Sequence, residues 1–217
     1  MAMTRKGLMI SPELCLGCKS CQVACKQWNQ LEGIKTVNVG SYENPQDLSP
    51  TLYNRIKFVE VPSPEGDPRW LFVTQRCCHC HDAGCMKICP VPGALFRTKD
   101  DAVAFDKEKC NGCKLCFLGC PFSVPRFDEK GKISKCHLCH DRLNEGLTTA
   151  CAKTCPTGAI KYGERDVLIA EAKKAGYTTF FGLKDFGGLG DIYAFKDPWV
   201  VSFCFFPSPM NWGAICY

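Results

Sequence analysis

Short apolar runs broken by polar turns predict β-hairpins in two parts of the chain. Residues 94–96 and 102–105 are apolar and flank the polar turn 99–101, which is typical of a tight hairpin. Residues 52–61 and 70–73 have strand-like content and flank a proline-rich loop. We interpret this second pair as a hairpin that decorates one face of the molecule.

Two further elements follow in the second half of the chain. Residues 159–162 predict a short strand, and residues 166–174 predict a helix with Val167, Ala170 and Lys174 at helical spacing. Strands, hairpins and a helix in no repeating βα order predict an α+β fold.

The last residues, 199–217, are rich in aromatic side chains, but Pro207 and Pro209 interrupt them. The apolar run 199–206 is far shorter than the roughly 20 residues that a spanning helix needs. The sequence therefore predicts no membrane span in this chain and an irregular C-terminal tail, packed in the core or forming a subunit contact. Residues 1–10 are too short for a secretory signal, which predicts a cytoplasmic protein, or a periplasmic one that is exported with a partner.

Cysteine dominates the composition, with 19 of 217 residues. The number is odd and most cysteines stand two or three residues apart, which disfavours disulfides and favours metal ligation. The formal net charge is +5. Metal sites with anionic thiolate ligands would offset this positive charge, so the basic excess does not indicate nucleic-acid binding.

Sixteen cysteines fall into four groups with short internal spacings. The groups are Cys15, Cys18, Cys21 and Cys25; Cys77, Cys80, Cys85 and Cys89; Cys110, Cys113, Cys116 and Cys120; and Cys136, Cys139, Cys151 and Cys155. The third group, followed by Pro121, has the C-x2-C-x2-C-x3-C-P spacing of bacterial ferredoxins, in which three thiolates hold one [4Fe-4S] cluster and the fourth ligates a neighbouring cluster.

Crossing over the fourth cysteine of every group gives four ligand sets that leave no member of the groups unused. Set 1 is Cys15, Cys18, Cys21 and Cys155; set 2 is Cys77, Cys80, Cys85 and Cys120; set 3 is Cys110, Cys113, Cys116 and Cys89; set 4 is Cys136, Cys139, Cys151 and Cys25. The sequence thus predicts four [4Fe-4S] clusters with iron bound through these sixteen thiolates.

The crossover also predicts two nested ferredoxin-like dicluster modules. The outer module comprises residues 1–30 and 133–165, and the inner module comprises residues 71–132. Residues 31–70 form the hairpin insert, and residues 166–217 form the helix and the tail. No group suggests substrate-binding catalysis by this chain.

Alternatives remain for some residues. Paired C-x2-C spacings also build zinc sites, and the group that begins at Cys136 resembles one most. The four histidines, His79, His81, His137 and His140, sit beside two of the groups, where hydrogen bonding to a cluster environment or solvent exposure is expected rather than ligation.

Three cysteines fall outside the sets. Cys78 adjoins a ligand and could exchange with it, while Cys204 and Cys216 are expected to be packed thiols. Lys19, Lys114 and Lys135 could tune cluster potentials or be solvated surface charges.

Beyond the cysteines, the sequence resembles the four-cluster iron-sulfur subunits of molybdenum or tungsten bis-pterin oxidoreductases, and most of all the beta subunits of formate dehydrogenases. The resemblance runs from about Cys15 to about Ala194. It rests on four stretches, which are residues 21–28 (CQVACKQW), 42–49 (YENPQDLS), 70–71 (WL) and 151–160 (CAKTCPTGAI).

The resemblance implies a non-catalytic electron-transfer subunit. Its partners would be a large catalytic Mo/W bis-pterin subunit and a downstream acceptor, such as a cytochrome, a ferredoxin or another iron-sulfur protein. Set 1 would face the catalytic subunit and set 4 would lie at the far exit. The alternatives are a wire for a tungsten aldehyde or acyl-CoA oxidoreductase and a free-standing polyferredoxin carrier.

Overall fold

The computed structural model describes residues 5–61, 66–198 and 200. The strands are β1 (Lys6–Ile10), β2 (Asn54–Val61), β3 (Arg69–Arg76), β4 (Leu95–Arg97), β5 (Val103–Phe105), β6 (Arg126–Phe127), β7 (Ile133–Ser134), β8 (Ile160–Glu164), β9 (Thr179–Phe181) and β10 (Asp191–Phe195). The helices are α1 (Ser20–Trp28), α2 (Gly84–Lys87), α3 (Leu115–Leu118), α4 (His140–Asn144), α5 (Ala150–Thr154) and α6 (Arg165–Lys174), with 3-10 turns at Pro12–Leu14 and Asp185–Gly187. This mixture confirms the predicted α+β fold.

A four-stranded sheet organises the two ends of the described chain. Its order is β8-β1-β10-β9, in which β1 is antiparallel to β8 and parallel to β10. Alternate residues of β1 face opposite sides, as the period of a strand requires, so that Leu8 and Ile10 enter the main core while Met9 packs on the other side. The predicted strand at residues 159–162 is therefore confirmed as β8, an edge of this sheet.

The long hairpin is part of the core and not a decoration of the surface. β2 and β3 pair in antiparallel register from Asn54 opposite Arg76 to Val61 opposite Arg69. Ile56, Leu71 and Val73 are at most 3% exposed and share the main core with strands of the four-stranded sheet. The two strands were correctly predicted, but the hairpin is buried on both faces. Leu71 and Val73 lie on one face with Val59 and Val61, and Ile56 lies on the other.

Helix α6 is confirmed, and its buried side is not the one through Val167, Ala170 and Lys174 that carried the helical spacing. Leu168 and Ala172, four residues apart, pack against Met9 of the sheet. Val167 is 50% exposed, so the stripe through Val167 and Ala170 faces solvent. The larger Leu168 side chain buries more apolar area, which decides the orientation of the helix.

The segment from Cys77 to Ser134 is built from much smaller elements. The predicted tight hairpin is confirmed as β4 and β5, and β6 and β7 form a second two-stranded sheet. Helices α2 and α3 cross where Gly84 and Gly119 meet, and a Cβ on Gly119 would lie 2.8 Å from the carbonyl oxygen of Gly84. Glycine is thus required here for close approach of two backbones.

Apart from Val200, the predicted tail at 199–217 lies outside the described residues, and so do Cys204 and Cys216. Among the residues that the structure describes, no helix has both the length and the apolar content needed to cross a membrane.

Candidate iron-sulfur cluster sites

All four cysteines of set 3 line one cavity of about 320 Å³. Cys110, Cys113 and Cys116 come from the loop before α3 and its first turn, while Cys89 comes from the end of α2. The remaining wall is partly apolar and includes Leu95, Phe127 and Ile133. Four thiols around one pocket are the donor set that a [4Fe-4S] cluster requires, so the residues present fit the group.

Set 1 has the same arrangement in a second cavity of about 330 Å³. Cys15, Cys18 and Cys21 line it together with Cys155, although more than 130 residues separate the last of these from the others. Ile56 of the long hairpin closes part of the wall. The crossover pairing of the first and fourth groups is thus present as a spatial arrangement.

Sets 2 and 4 are brought together as well, as the effects of their thiols on one another indicate. Burial raises the pKa of Cys25 well above its usual value, and the nearby charges of its three set 4 partners, Cys136, Cys139 and Cys151, raise it further. Burial likewise raises the pKa of Cys80. The nearby charges of its three set 2 partners, Cys77, Cys120 and Cys85, raise it further.

The sets follow one another in the order 1, 4, 2, 3. Helix α1 carries Cys21 of set 1 and Cys25 of set 4 one turn apart. Burial raises the pKa of Cys21 to about 12, and the charge of Cys151 of set 4 adds to this rise.

The charges of neighbouring thiols also show that set 4 lies beside set 2 and that set 2 lies beside set 3. Burial raises the pKa of Cys136 in set 4 to about 12, with a contribution from Cys77 of set 2. Burial also raises the pKa of Cys116 in set 3 to about 12, with the charge of Cys85 of set 2 next in size. Set 4 is therefore adjacent to set 1, and its expected location at the far exit is wrong because α1 joins the two sets directly.

The loops around the first and third groups share one backbone conformation. Gly17 and Gly112 have φ of 66° and 78°, and Lys19 and Lys114, which cap α1 and α3, are also left-handed. This conformation is strained for a lysine, and it is needed because the chain reverses direction around the thiols. A backbone amide reaches a sulfur in the fourth group, where Leu138 N donates to Cys136 Sγ at 3.4 Å. Such bonds stabilise a ligand as the thiolate.

A buried ion pair that the sequence reasoning missed lies beside set 4. Arg76 Nε is 2.7 Å from Asp191 Oδ2, and both side chains are at most 1% exposed. Arg76 Nη1 also donates to Cys151 Sγ at 3.1 Å. Burial raises the pKa of Asp191 to about 6 against the opposing charge of Arg76, so the carboxylate is ionised at neutral pH. The sequence signal that could have indicated this pair is Arg76 itself, a charged residue at the end of an apolar strand and directly before Cys77.

The three lysines noted in the sequence have different surroundings. Lys135 is 2% exposed, and its Nζ lies 3.6 Å from Cys77 Sγ and 2.9 Å from Cys136 O. Lys114 is exposed and lies over the Phe127 ring, and Lys19 is half-buried with Nζ bonded to Tyr42 O at 3.1 Å. Only the solvated interpretation of Lys135 is therefore contradicted.

Three of the four histidines and Cys78 make hydrogen bonds that do not involve the four sets. His79 is fully buried and its Nδ1 accepts from Val103 N at 3.2 Å, and His137 Nε2 is 2.6 Å from Asn29 Oδ1. His81 Nδ1 is 3.0 Å from an Asp101 carboxylate oxygen. Cys78 is buried and donates to Arg76 O at 3.8 Å.

Comparisons with known proteins agree with this donor set. Two family models, each described as a 4Fe-4S dicluster domain, match residues 14–94 and 68–165. Two dicluster domains correspond to four [4Fe-4S] clusters, so zinc is not supported.

Three relatives illustrate the similarity. The chain is 41% identical over 190 residues to the formate dehydrogenase-O iron-sulfur subunit of Escherichia coli K12, covering 84% of this chain and 63% of the relative. It is 36% identical over 177 residues to formate dehydrogenase 2 subunit beta (cytochrome c-553) of Nitratidesulfovibrio vulgaris Hildenborough, covering 78% and 81%. It is 32% identical over 179 residues to the hydrogenase-2 operon protein HybA of Escherichia coli O157:H7, covering 77% and 54%.

The chain spans slightly less than two thirds of the Escherichia coli formate dehydrogenase-O subunit and most of the Nitratidesulfovibrio subunit. Two of the three relatives are named as subunits of formate dehydrogenases, and none of the three is named as an aldehyde or acyl-CoA oxidoreductase subunit or as a free carrier. The chain belongs to the family of iron-sulfur subunits of formate dehydrogenases.

Proposed function

We propose that this chain relays electrons from a catalytic Mo/W bis-pterin subunit that oxidises formate to a downstream acceptor. The observation that carries the proposal is the continuous row of four cysteine sets, whose two end sets each line a cavity with four thiols. A bound [4Fe-4S] cluster supplies a one-electron carrier at each set. The row then provides a path for electrons through the protein.

The thiolates hold their clusters by the crossover pairing, within two nested modules of residues 1–30 with 133–165 and residues 71–132. Set 1 uses Cys155 as its fourth ligand, set 4 uses Cys25, set 2 uses Cys120 and set 3 uses Cys89. The support is the shared cavity of each end set and the mutual effects of the thiols in each middle set.

Burial differs along the row in a way that suits a wire. Every thiol of set 4 is buried, whereas Cys18 of set 1 and Cys113 of set 3 are exposed. In set 2, Cys77 is buried and the other three thiols are partly buried. The two middle sets thus keep water away from the path, and the exposed thiols of the end sets leave a short distance to a partner. Electrons therefore enter and leave at sets 1 and 3.

Each end of the row also carries exposed apolar side chains. Leu16 and Val23, near the set 1 ligands, are 65% and 63% exposed. Phe117 and Leu118 lie in the chain between a set 3 ligand and a set 2 ligand, and they are 39% and 76% exposed. Exposed apolar clusters mark protein contacts. The set 1 end docks on the catalytic subunit, as the family resemblance implies, and the set 3 end docks on the acceptor.

The compartment of the protein follows that of its catalytic partner, so the chain is cytoplasmic, or periplasmic when the two are exported together.

The ligand pairing is tested by Cys155→Ala. The crossover predicts that the signal of the set 1 cluster is lost and that about four of some sixteen iron atoms disappear, because one ligand serves one cluster. Electron paramagnetic resonance and iron analysis of the anaerobic protein measure this, with Cys78→Ala as a control that keeps all iron. Loss confined to the set 4 cluster would refute the nesting.

The function is tested by anaerobic affinity purification of the tagged chain from its native host. A large subunit containing molybdenum or tungsten should copurify and reduce the clusters when formate is added. Leu16→Ser should release this subunit while Leu118→Ser retains it, with Leu147→Ser as a matched exposed-leucine control. A partner that oxidises aldehydes but not formate, or a stable monomer, would contradict the proposal.

A further inference from the structure

Lys135 lies at the junction of the two middle sets. It directly precedes Cys136 of set 4, and its Nζ donates to Cys136 O at 2.9 Å. The same Nζ lies 3.6 Å from Cys77 Sγ of set 2 and donates to Val103 O in β5. One side chain thus connects a set 4 ligand, a set 2 ligand and a strand of the inner segment.

The ammonium of Lys135 is buried without a carboxylate partner. The residue is 2% exposed, and among residues 5–61, 66–198 and 200 its ion-pair and hydrogen-bond partners are two carbonyl oxygens and a cysteine sulfur. Carbonyl oxygens satisfy its N–H groups but carry no net charge. A buried charge requires an opposite charge nearby, since burying it alone is strongly unfavourable.

Arg76, a buried cation beside set 4, differs in this respect. Arg76 has its own carboxylate in Asp191, 2.7 Å away, so that pair carries no net charge. Asp191 also acts on Lys135 through its charge, but its carboxylate is bonded to Arg76. Among the described residues, the anionic group that Lys135 Nζ contacts directly is the Cys77 sulfur of set 2, so the thiolates and clusters of sets 2 and 4 remain to balance its charge.

We infer that Lys135 is the counter-ion of the two middle clusters and raises the reduction potential of both, that of set 2 most. This inference rests on the proposed function. A cluster gains one negative charge when it accepts an electron, so a fixed positive charge beside it stabilises the reduced form. The effect is large for Lys135 because little solvent screens it.

Lys114 offers a matched comparison. It stands next to Cys113 of set 3, as Lys135 stands next to Cys136, but it is exposed and water screens its charge. The same substitution at the two positions removes the same charge from a buried and from a solvated site.

The test is a potentiometric titration of the anaerobic holoprotein, with each cluster followed by electron paramagnetic resonance. Lys135→Met should shift the equilibrium of the set 2 cluster at least tenfold toward the oxidised form, about 59 mV for one electron. The set 4 cluster should shift in the same direction by less, and sets 1 and 3 should not shift. Lys114→Met should shift set 3 by much less than tenfold. Unchanged potentials in a fully loaded Lys135→Met protein would overturn the inference.

If the Lys135→Met protein does not hold iron, Lys135→Arg and Lys135→Gln separate the role of the charge from that of packing or hydrogen bonding. If the charge is required, Arg restores the middle clusters and Gln does not. If Gln restores them with wild-type potentials, or if neither restores them, the role is packing or hydrogen bonding and the inference is wrong. The titration needs neither formate nor a partner, so a wild-type protein with about sixteen iron atoms and an unaffected Lys135→Met variant would leave the electron-relay proposal intact.

Discussion

The sheet region and the loop region of this protein hold their cysteines in different kinds of core. The sheet region comprises the four-stranded sheet, α6 and the long hairpin, and the main core there contains three cysteines among 22 described side chains. The loop region comprises residues 77–134, and its own core contains five cysteines among twelve described side chains. The clusters are therefore attached to a core in one region and form much of the core in the other.

This difference indicates which region depends on iron for folding. Aliphatic and aromatic side chains give the sheet region a hydrophobic core in the absence of metal. The loop region has two sheets of two strands each, and such small sheets are marginal in water unless other groups support them. When ligands are buried thiols, the binding free energy of the metal becomes folding free energy.

Removal of iron should give the largest effect. Anaerobic chelation under reducing conditions should abolish amide protection in β4 to β7 while β1, β8 and β10 keep most of theirs, because only the sheet region retains a core. Hydrogen exchange with mass spectrometry measures both regions in one sample. Equal loss of protection in the two regions would show that the comparison is wrong.

Arg76→Met should come next, since it leaves the Asp191 carboxylate buried beside anionic ligands. Breaking one partner of a buried pair costs about 3–5 kcal/mol of unfolding free energy. Lower pH should reduce the loss, because protonation of Asp191 removes the unpaired charge. Denaturation of the holoprotein measures it, and the double variant Arg76→Met/Asp191→Asn should recover stability. A double variant no more stable than Arg76→Met would argue against the ion pair as the cause.

Leu71→Ala tests whether the long hairpin belongs to the core. Leu71 is 3% exposed, so the cavity should lower the unfolding free energy by about 2–5 kcal/mol. Leu147→Ala, at a residue that is 48% exposed, is the matched control and should change it by less than about 0.5 kcal/mol. If both substitutions changed the unfolding free energy by similarly small amounts, the hairpin would not be part of the core.

Asp197→Asn should have the smallest effect. Its partner Arg69 is 3.0 Å away, but the two side chains are 43% and 46% exposed. Exposed pairs contribute less than about 1 kcal/mol, so thermal denaturation should shift little and added salt should not enlarge the shift. A large shift would mean that this pair supports the sheet region in an unexpected way.

The sequence predicted the local features best. The hairpin of β4 and β5 and the strands of the long hairpin followed from apolar runs around turns, and the spacing around Cys110 indicated a cluster loop directly. These signals are local because each is determined by residues a few positions apart.

Features that depend on distant pairing were missed. β1 and β10 were not predicted, since pairing of Leu8 with Asp191 leaves no periodic signature in either segment. The depth of the long hairpin and the buried face of α6 depend on what packs against them. The order of the sets depends on how α1 is shared between two of them, which motif spacing alone does not contain.

The parallel pairing of β1 with β10 has a consequence for the timing of synthesis. A chain made at about 5–20 residues per second needs on the order of 10–40 seconds to extend from residue 10 to residue 195. During that interval β1 has no β10 to pair with, and Cys15, Cys18 and Cys21 wait for Cys155. The loop region, whose ligands lie between residues 77 and 120, is complete much earlier. Newly made chains should therefore load iron into sets 2 and 3 first, and the thiols of their first motif should stay exposed to oxygen for longest.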